Sequence, residues 1–135
     1  MDTRDTGKVA LSIEDNSYLH AVIYTNADIV EDDIQPVIDY LNIFNNPIPA
    51  LIERKGRYSI SVRVQIAMLQ QTKHRLKAVA FIERDHKDVI MTRIAASTYF
   101  KEVAVKSFYD QKEAVIWLSH YFSPTPLLAD AQNTA

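Results

Sequence analysis

The chain has 135 residues, enough for one domain that buries roughly two-thirds of the surface its unfolded chain exposes, so neither metal nor disulfide is needed for folding. With 47% hydrophobic and 24% charged residues it is composed like an ordinary globular protein, which excludes disorder, collagen and coiled coil for the bulk of the chain. The formal net charge of −2 provides no basic footprint for duplex nucleic acid, and the lack of cysteine removes thiol nucleophiles, thiolate metal sites and disulfides together.

Lys8–Glu14 alternates apolar and polar residues, the pattern of a half-buried strand. The turn cluster Asp15-Asn16-Ser17 joins it to a second strand, Tyr18–Thr25, and so short a connection predicts an antiparallel hairpin. From Glu31 the period changes. Ile34, Val37, Ile38, Leu41 and Phe44 form one apolar stripe of a helix, with Glu31-Asp32-Asp33 at the positive end of its dipole and Pro36 tolerable only near its first turn. Asn45-Asn46-Pro47 ends that helix, and Ile48–Glu53 reads as a third strand. After a basic loop around Gly56, Val62, Ile66 and Leu69 mark a second helix, and Lys77–Glu83 a fourth strand. Asp85 can cap a third helix whose predicted inner face includes Val89, Ile90, Ile94 and Ala95. Val103–Phe108 is a fifth strand. Asp110 and Glu113 have capping-box spacing ahead of a last helix, whose face Ala114, Trp117, Leu118 and Tyr121 predicts Trp117 as its anchor.

Strands alternating with helices of this length imply right-handed crossovers and a parallel sheet. The expected architecture is α/β: a mostly parallel five-stranded sheet, an antiparallel N-terminal strand at its edge, and four helices. Residues 1–122 form the single domain, and 123–135 are expected to be a flexible tail.

With only two glycines, Gly7 and Gly56, no dinucleotide fingerprint or phosphate-cradling loop can be assembled. His20, His74, His86 and His120 fall on different elements, none at the spacing of a helical zinc motif. No cofactor and no metal are expected. The polar start Met1–Thr6 lacks the apolar core of a signal peptide, and no apolar run approaches the roughly 18–20 residues of a membrane span. The chain therefore reads as soluble and cytoplasmic, not membrane-spanning.

The order of elements across residues 8–122 resembles the STAS domains (sulfate transporter and anti-sigma-factor antagonist) and, more broadly, the SpoIIAA-like superfamily. The segment Asp110-Gln-Lys-Glu-Ala-Val-Ile-Trp-Leu118 is similar to the last helix of uncharacterised bacterial members. The resemblance implies a non-catalytic regulatory or interaction module with a protein partner, and it accommodates a homodimer. It further implies a phosphorylatable serine where the loop after the third strand enters the second helix, since antagonists carry an Asp-Ser-x-Gly-like motif there. The corresponding stretch, Glu53–Val62, offers Ser59 and Ser61, neither preceded by Asp nor followed by Gly.

The residues themselves allow a plainer reading. Ser59 or Ser61 can be the N-cap of the second helix, worth about 1 kcal/mol. Arg54, Lys55 and Arg57 would add positive charge to the free N–H groups of that helix start, so Arg54, Arg57, Tyr58, Ser59 and Ser61 form the candidate partner or phospho-switch loop. Glu53 and Glu83 each end an inferred parallel strand, where ligands bind in open α/β sheets, and are candidate ligand-facing residues. The alternative function is a module for a small apolar ligand or lipid. A cavity separates the two: the interaction reading expects a well-packed core, the ligand reading an apolar cavity of roughly 300 Å³ or more.

Overall fold

The computed structural model describes residues 3–98 and 100–129. Its centre is a six-stranded sheet of β1 (Thr3–Asp5), β2 (Val9–Glu14), β3 (Tyr18–Ile23), β5 (Ile48–Arg54), β7 (Leu76–Ile82) and β8 (Ala104–Phe108), in that spatial order. The first three strands are antiparallel, and β3, β5, β7 and β8 run parallel. A separate parallel pair, β4 (Asp28–Ile29) and β6 (Ser59–Ile60), lies off the main sheet.

The hairpin between β2 and β3 turns as predicted. Asp15 and Asn16 both adopt left-handed backbone, with φ of 50° and 54°, which matches the right-handed twist of the flanking strands. The sheet has one strand more than the sequence predicts. β1 covers the outer edge of β2, so the antiparallel strand expected at the edge is second in the order.

Four helices complete the fold: α1 (Ile34–Leu41), α2 (Val62–Thr72), α3 (His86–Ser97) and α4 (Gln111–Leu118). Glu31–Asp33 form a 3-10 turn ahead of α1, which puts Pro36 in the first turn of α1, where its missing N–H costs nothing. One face of the sheet packs Leu11, Leu19, Ala50 and Val79 against Tyr40, Leu41 and Phe44, with Phe100 below α3. The other face packs Leu51, Ala78 and Ala80 against Ala114 and Leu118 of α4. Those two residues, both fully buried, anchor α4. Trp117, expected in that role, is only half-buried and leans on Phe108 and Tyr121, with ring centroids 5.8 and 5.1 Å away.

The chain beyond α4 returns to the hairpin. Phe122 stacks on Tyr18 at 5.6 Å, Leu127 is 4% exposed, and the N–H groups of Leu127 and Leu128 donate to the backbone and side-chain oxygens of Asn16. Within the expected tail, Leu127 and Leu128 are thus tied to the hairpin, residues 123–126 are exposed, and 130–135 lie outside the described residues. Among the described residues, no helix is long and apolar enough to cross a membrane.

Helix α3 differs most from its sequence pattern. Its buried residues are Asp88, Thr92 and Ala95, whereas Ile90 and Ile94, expected inside, are 44% and 58% exposed. Two polar side chains face inward where apolar ones were predicted. The site explains why.

Candidate functional site

Helix α2 does not lie flat on the sheet. Of its eleven residues only Val64, in its first turn, and Thr72, at its end, are buried. Val64 joins Ile29, Ile34 and Tyr58 in a small cluster beside the β4–β6 pair, which holds the start of the helix out from the sheet. Between the ends, Gln65, Met68 and Leu69 face a cavity of about 330 Å³. Its floor is the sheet residues Leu11, Ala21, Ile23, Ile52 and Phe81, and Met91 and Ala95 of α3 close the side. A volume above roughly 300 Å³ is in the range of small-molecule sites.

The charged groups of the cavity gather at one end, while the Gln65 and Thr72 side chains of α2 are neutral polar groups along its length. Arg54, Tyr58, Arg84 and Asp88 line it at the carboxyl ends of β5 and β7, and the exposed residues Ser59 and Arg84 bring that end to the surface. Leu76, Ala95 and Phe100 line the opposite, apolar end. The location obeys the rule that ligands in open α/β sheets bind outside the carboxyl ends of strands.

Two ion pairs organise the polar end. Arg54 Nη1 donates to Glu83 Oε1 at 2.6 Å, to Thr92 Oγ1 at 2.9 Å and to the Asp88 carbonyl at 3.2 Å. The other Glu83 oxygen accepts from the hydroxyls of Thr92 at 2.6 Å and Ser107 at 3.2 Å. The Glu83 side chain is fully buried and that of Arg54 is 10% exposed, so the full satisfaction of the carboxylate is what makes its burial tolerable. The Arg54 guanidinium also lies 4.5 Å over the Phe81 ring centroid.

Arg84 grips Asp88 as a fork. Nε donates to Oδ2 at 2.9 Å and Nη2 to Oδ1 at 2.8 Å, while the Arg84 backbone N–H adds a third bond to Oδ2 at 2.8 Å. Burial by itself would raise the Asp88 pKa; the hydrogen bonds from Arg84, helped by the Arg54 charge, outweigh it and hold the carboxyl below its ordinary value. Arg84 Nη1 also donates to the carbonyls of Gly56 and Tyr58, and the guanidinium covers the Tyr58 ring at 4.2 Å. Burial raises the Tyr58 pKa despite the opposing pull of Arg54 and Arg84. Asp88 and Thr92 are thus the acceptor and bridging hydroxyl that the exposed Arg84 and the nearly buried Arg54 engage, which is why α3 turns them inward.

Gly56 lets the loop after β5 close on this cluster. A Cβ built there would lie 2.0 Å from the Thr25 carbonyl oxygen, a backbone atom that cannot swing aside.

No family model matches the chain, and neither does any curated protein sequence. Among solved structures it is similar to an uncharacterised protein of the DUF3478 family with a SpoIIAA-like fold from Shewanella loihica PV-4, at 23% identity and a TM-score of 0.63. The match covers 82% of this chain and 93% of that one. The chain has a SpoIIAA-like fold. The resemblance of element order in the sequence is therefore a resemblance of structure.

On this SpoIIAA-like frame the residues singled out from the sequence part company. Arg54 and Tyr58 line the cavity, as does Ser59, whose hydroxyl bonds the Asp28 carboxylate across the β4–β6 pair. Ser61 is the N-cap of α2, its oxygen accepting from the Val64 N–H at 3.2 Å. Arg57 is exposed, and its backbone N–H is held by the Asn26 side chain. Glu83 stands behind Arg54 as its counter-ion. Glu53 falls between Ile52 and Arg54 in β5, so it points to the opposite face of the sheet, where it meets His20 at 3.2 Å. The sequence reading missed Arg84, Asp88 and Thr92. Their one visible signal is polar residues at positions 88 and 92, i and i+4 on a helix face that begins at the end of a strand.

Proposed function

We propose that the protein is a non-catalytic binding module that takes a small, largely apolar ligand between its sheet and α2. One observation carries this reading: a cavity of about 330 Å³ lined mostly by apolar side chains, whose charged groups gather at the carboxyl ends of β5 and β7. A domain built solely to present a surface gains nothing from holding a helix off its own sheet, because unfilled volume forfeits packing energy. Most polar groups at the cavity end bond one another: the Thr92 and Ser59 hydroxyls donate to the Glu83 and Asp28 carboxylates, and Glu83 is paired with Arg54, an arrangement that supports binding better than turnover.

The test is calorimetric titration with n-alcohols of increasing chain length. Affinity should rise by about 0.8 kcal/mol per added methylene and level off once the chain outgrows the cavity. Lack of saturable one-to-one uptake at any length sinks the proposal.

A protein-partner reading has separate support on the rim. Arg57, Ser59, Ser61 and Val62 are all exposed, Val62 to 71%. If a partner binds there as in the antagonists, Ser59→Glu should leave the fold intact and weaken a captured partner about tenfold, or 1.4 kcal/mol. Unchanged partner affinity removes this reading.

A further inference from the structure

The two arginines at the polar end differ in what they have left to offer. Both side-chain nitrogens of Arg84 that face Asp88 are committed to that carboxylate, and its Nη1 is committed to the Gly56 and Tyr58 carbonyls. The close hydrogen bonds of Arg54 to Glu83, Thr92 and Asp88 all leave from Nη1, and its guanidinium also interacts with the Tyr58 hydroxyl. Its remaining guanidinium edge and the neighbouring Tyr58 hydroxyl belong to residues that line the cavity.

The charges at this end cancel. Arg54 is matched by Glu83, and Arg84 by Asp88. Every carboxylate oxygen already accepts at least one hydrogen bond. What the cavity presents is therefore hydrogen-bond donors without net positive charge. A carboxylate entering here would be a third anion beside Glu83 and Asp88, desolvated without a free counter-ion. A cation would find each carboxylate oxygen already accepting a hydrogen bond, with only neutral acceptors such as the Gln65 amide oxygen besides. A neutral carbonyl oxygen needs donors and brings no charge to compensate. The volume, at about 30 Å³ per water-sized group, holds roughly a dozen non-hydrogen atoms.

We infer that the ligand is an uncharged molecule of that size with an apolar body and a terminal carbonyl, as in an amide, ester or ketone, which accepts hydrogen bonds from Arg54 and Tyr58. This rests on the cavity-binding reading above and adds the head-group chemistry to it.

The probes are octanamide, octanoate and octylammonium, matched in size and titrated calorimetrically into the full-length protein at pH 8, where the acid is ionised and the amine charged. Octanamide should bind at least about tenfold more tightly than either ion, equivalent to 1.4 kcal/mol. Tyr58→Phe, which removes one hydroxyl and keeps the ring under Arg84, should narrow that preference severalfold while circular dichroism stays unchanged. Octanoate binding as tightly as octanamide, or a preference indifferent to Tyr58→Phe, overturns the head-group assignment and leaves the apolar cavity standing. If neither these probes nor the n-alcohols bind, the cavity reading falls and takes this inference with it.

Discussion

Arg54 and Glu83, 29 residues apart in sequence, meet at 2.6 Å where the adjacent parallel strands β5 and β7 end. The pair sits at the carboxyl ends of these strands and fixes how Arg54 presents itself to the cavity. Glu83→Ala should cost about 3–5 kcal/mol, because it leaves a nearly buried guanidinium without its counter-charge. The double variant Arg54→Met with Glu83→Leu should recover much of that loss, since an apolar pair spares the desolvation of both ions. Urea denaturation of the two variants decides it. A double variant no more stable than Glu83→Ala would show that the pair is stabilising in its own right.

Gly56 offers a sharper test of the loop that carries Tyr58. A methyl group there meets the Thr25 carbonyl at 2.0 Å, so one backbone segment must move. The same segment holds two backbone bonds to the Ile23 carbonyl, from the N–H groups of Lys55 and Gly56. Gly56→Ala should destabilise by about 1–3 kcal/mol, as overpacking does, and loosen the cavity end. Unchanged thermal stability would mean that the loop has room the structure does not show.

The strands and α4 were legible because their residues obey one period. Val9, Leu11 and Ile13 alternate with half-buried positions, and the β5 and β7 runs are apolar because both faces of a central parallel strand are covered. β1 was not legible. Thr-Arg-Asp carries no apolar signal, and it becomes a strand only because the free edge of β2 pairs with it. The same holds for β4 and β6, at two residues each too short to show any period. In α3 periodicity misled. The sequence places Ile90 and Ile94 inside, yet the nearly buried Arg54 and the exposed Arg84 on neighbouring elements bond Thr92 and Asp88 there, and satisfying buried polar groups outweighs burying an isoleucine. Local rules failed where the candidate site lies, which is where such conflict is expected.

Acid should expose the Arg84–Asp88 clamp. The folded carboxyl titrates below its ordinary value, because the hydrogen bonds from Arg84 outweigh the opposing effect of burial. Its contribution is therefore fully present above the unfolded-state value near 4, and it is lost as the pH falls through the folded value. Urea midpoints measured from pH 7 downward should fall below about pH 4 in the parent protein. In Asp88→Asn they should start lower at pH 7 and decline less over the same interval. Parallel curves for the two proteins would assign the acid sensitivity to other carboxylates.

Filling the cavity separates binding from folding. Ala95 is buried on α3 and lines the cavity about one helical turn beyond Thr92. In Ala95→Leu the added carbons would enter the space now bounded by Leu69, Phe81 and Phe100. Where a cavity accepts them without strain, three added carbons at about 0.8 kcal/mol each, less about 0.5–1 kcal/mol for ordering the leucine side chain, should make the variant more stable than the parent by roughly 1–2 kcal/mol. Uptake of alcohols and amides should fall in step, since ligand and side chain compete for one volume. A core already packed to native density behaves in the opposite way: extra methylenes force side chains off their rotamers and cost about 1–3 kcal/mol. Thermal denaturation with and without octanamide reads both effects. A destabilised Ala95→Leu that still binds the amide would place the ligand elsewhere, whereas a stabilised variant that no longer binds ties the cavity to function.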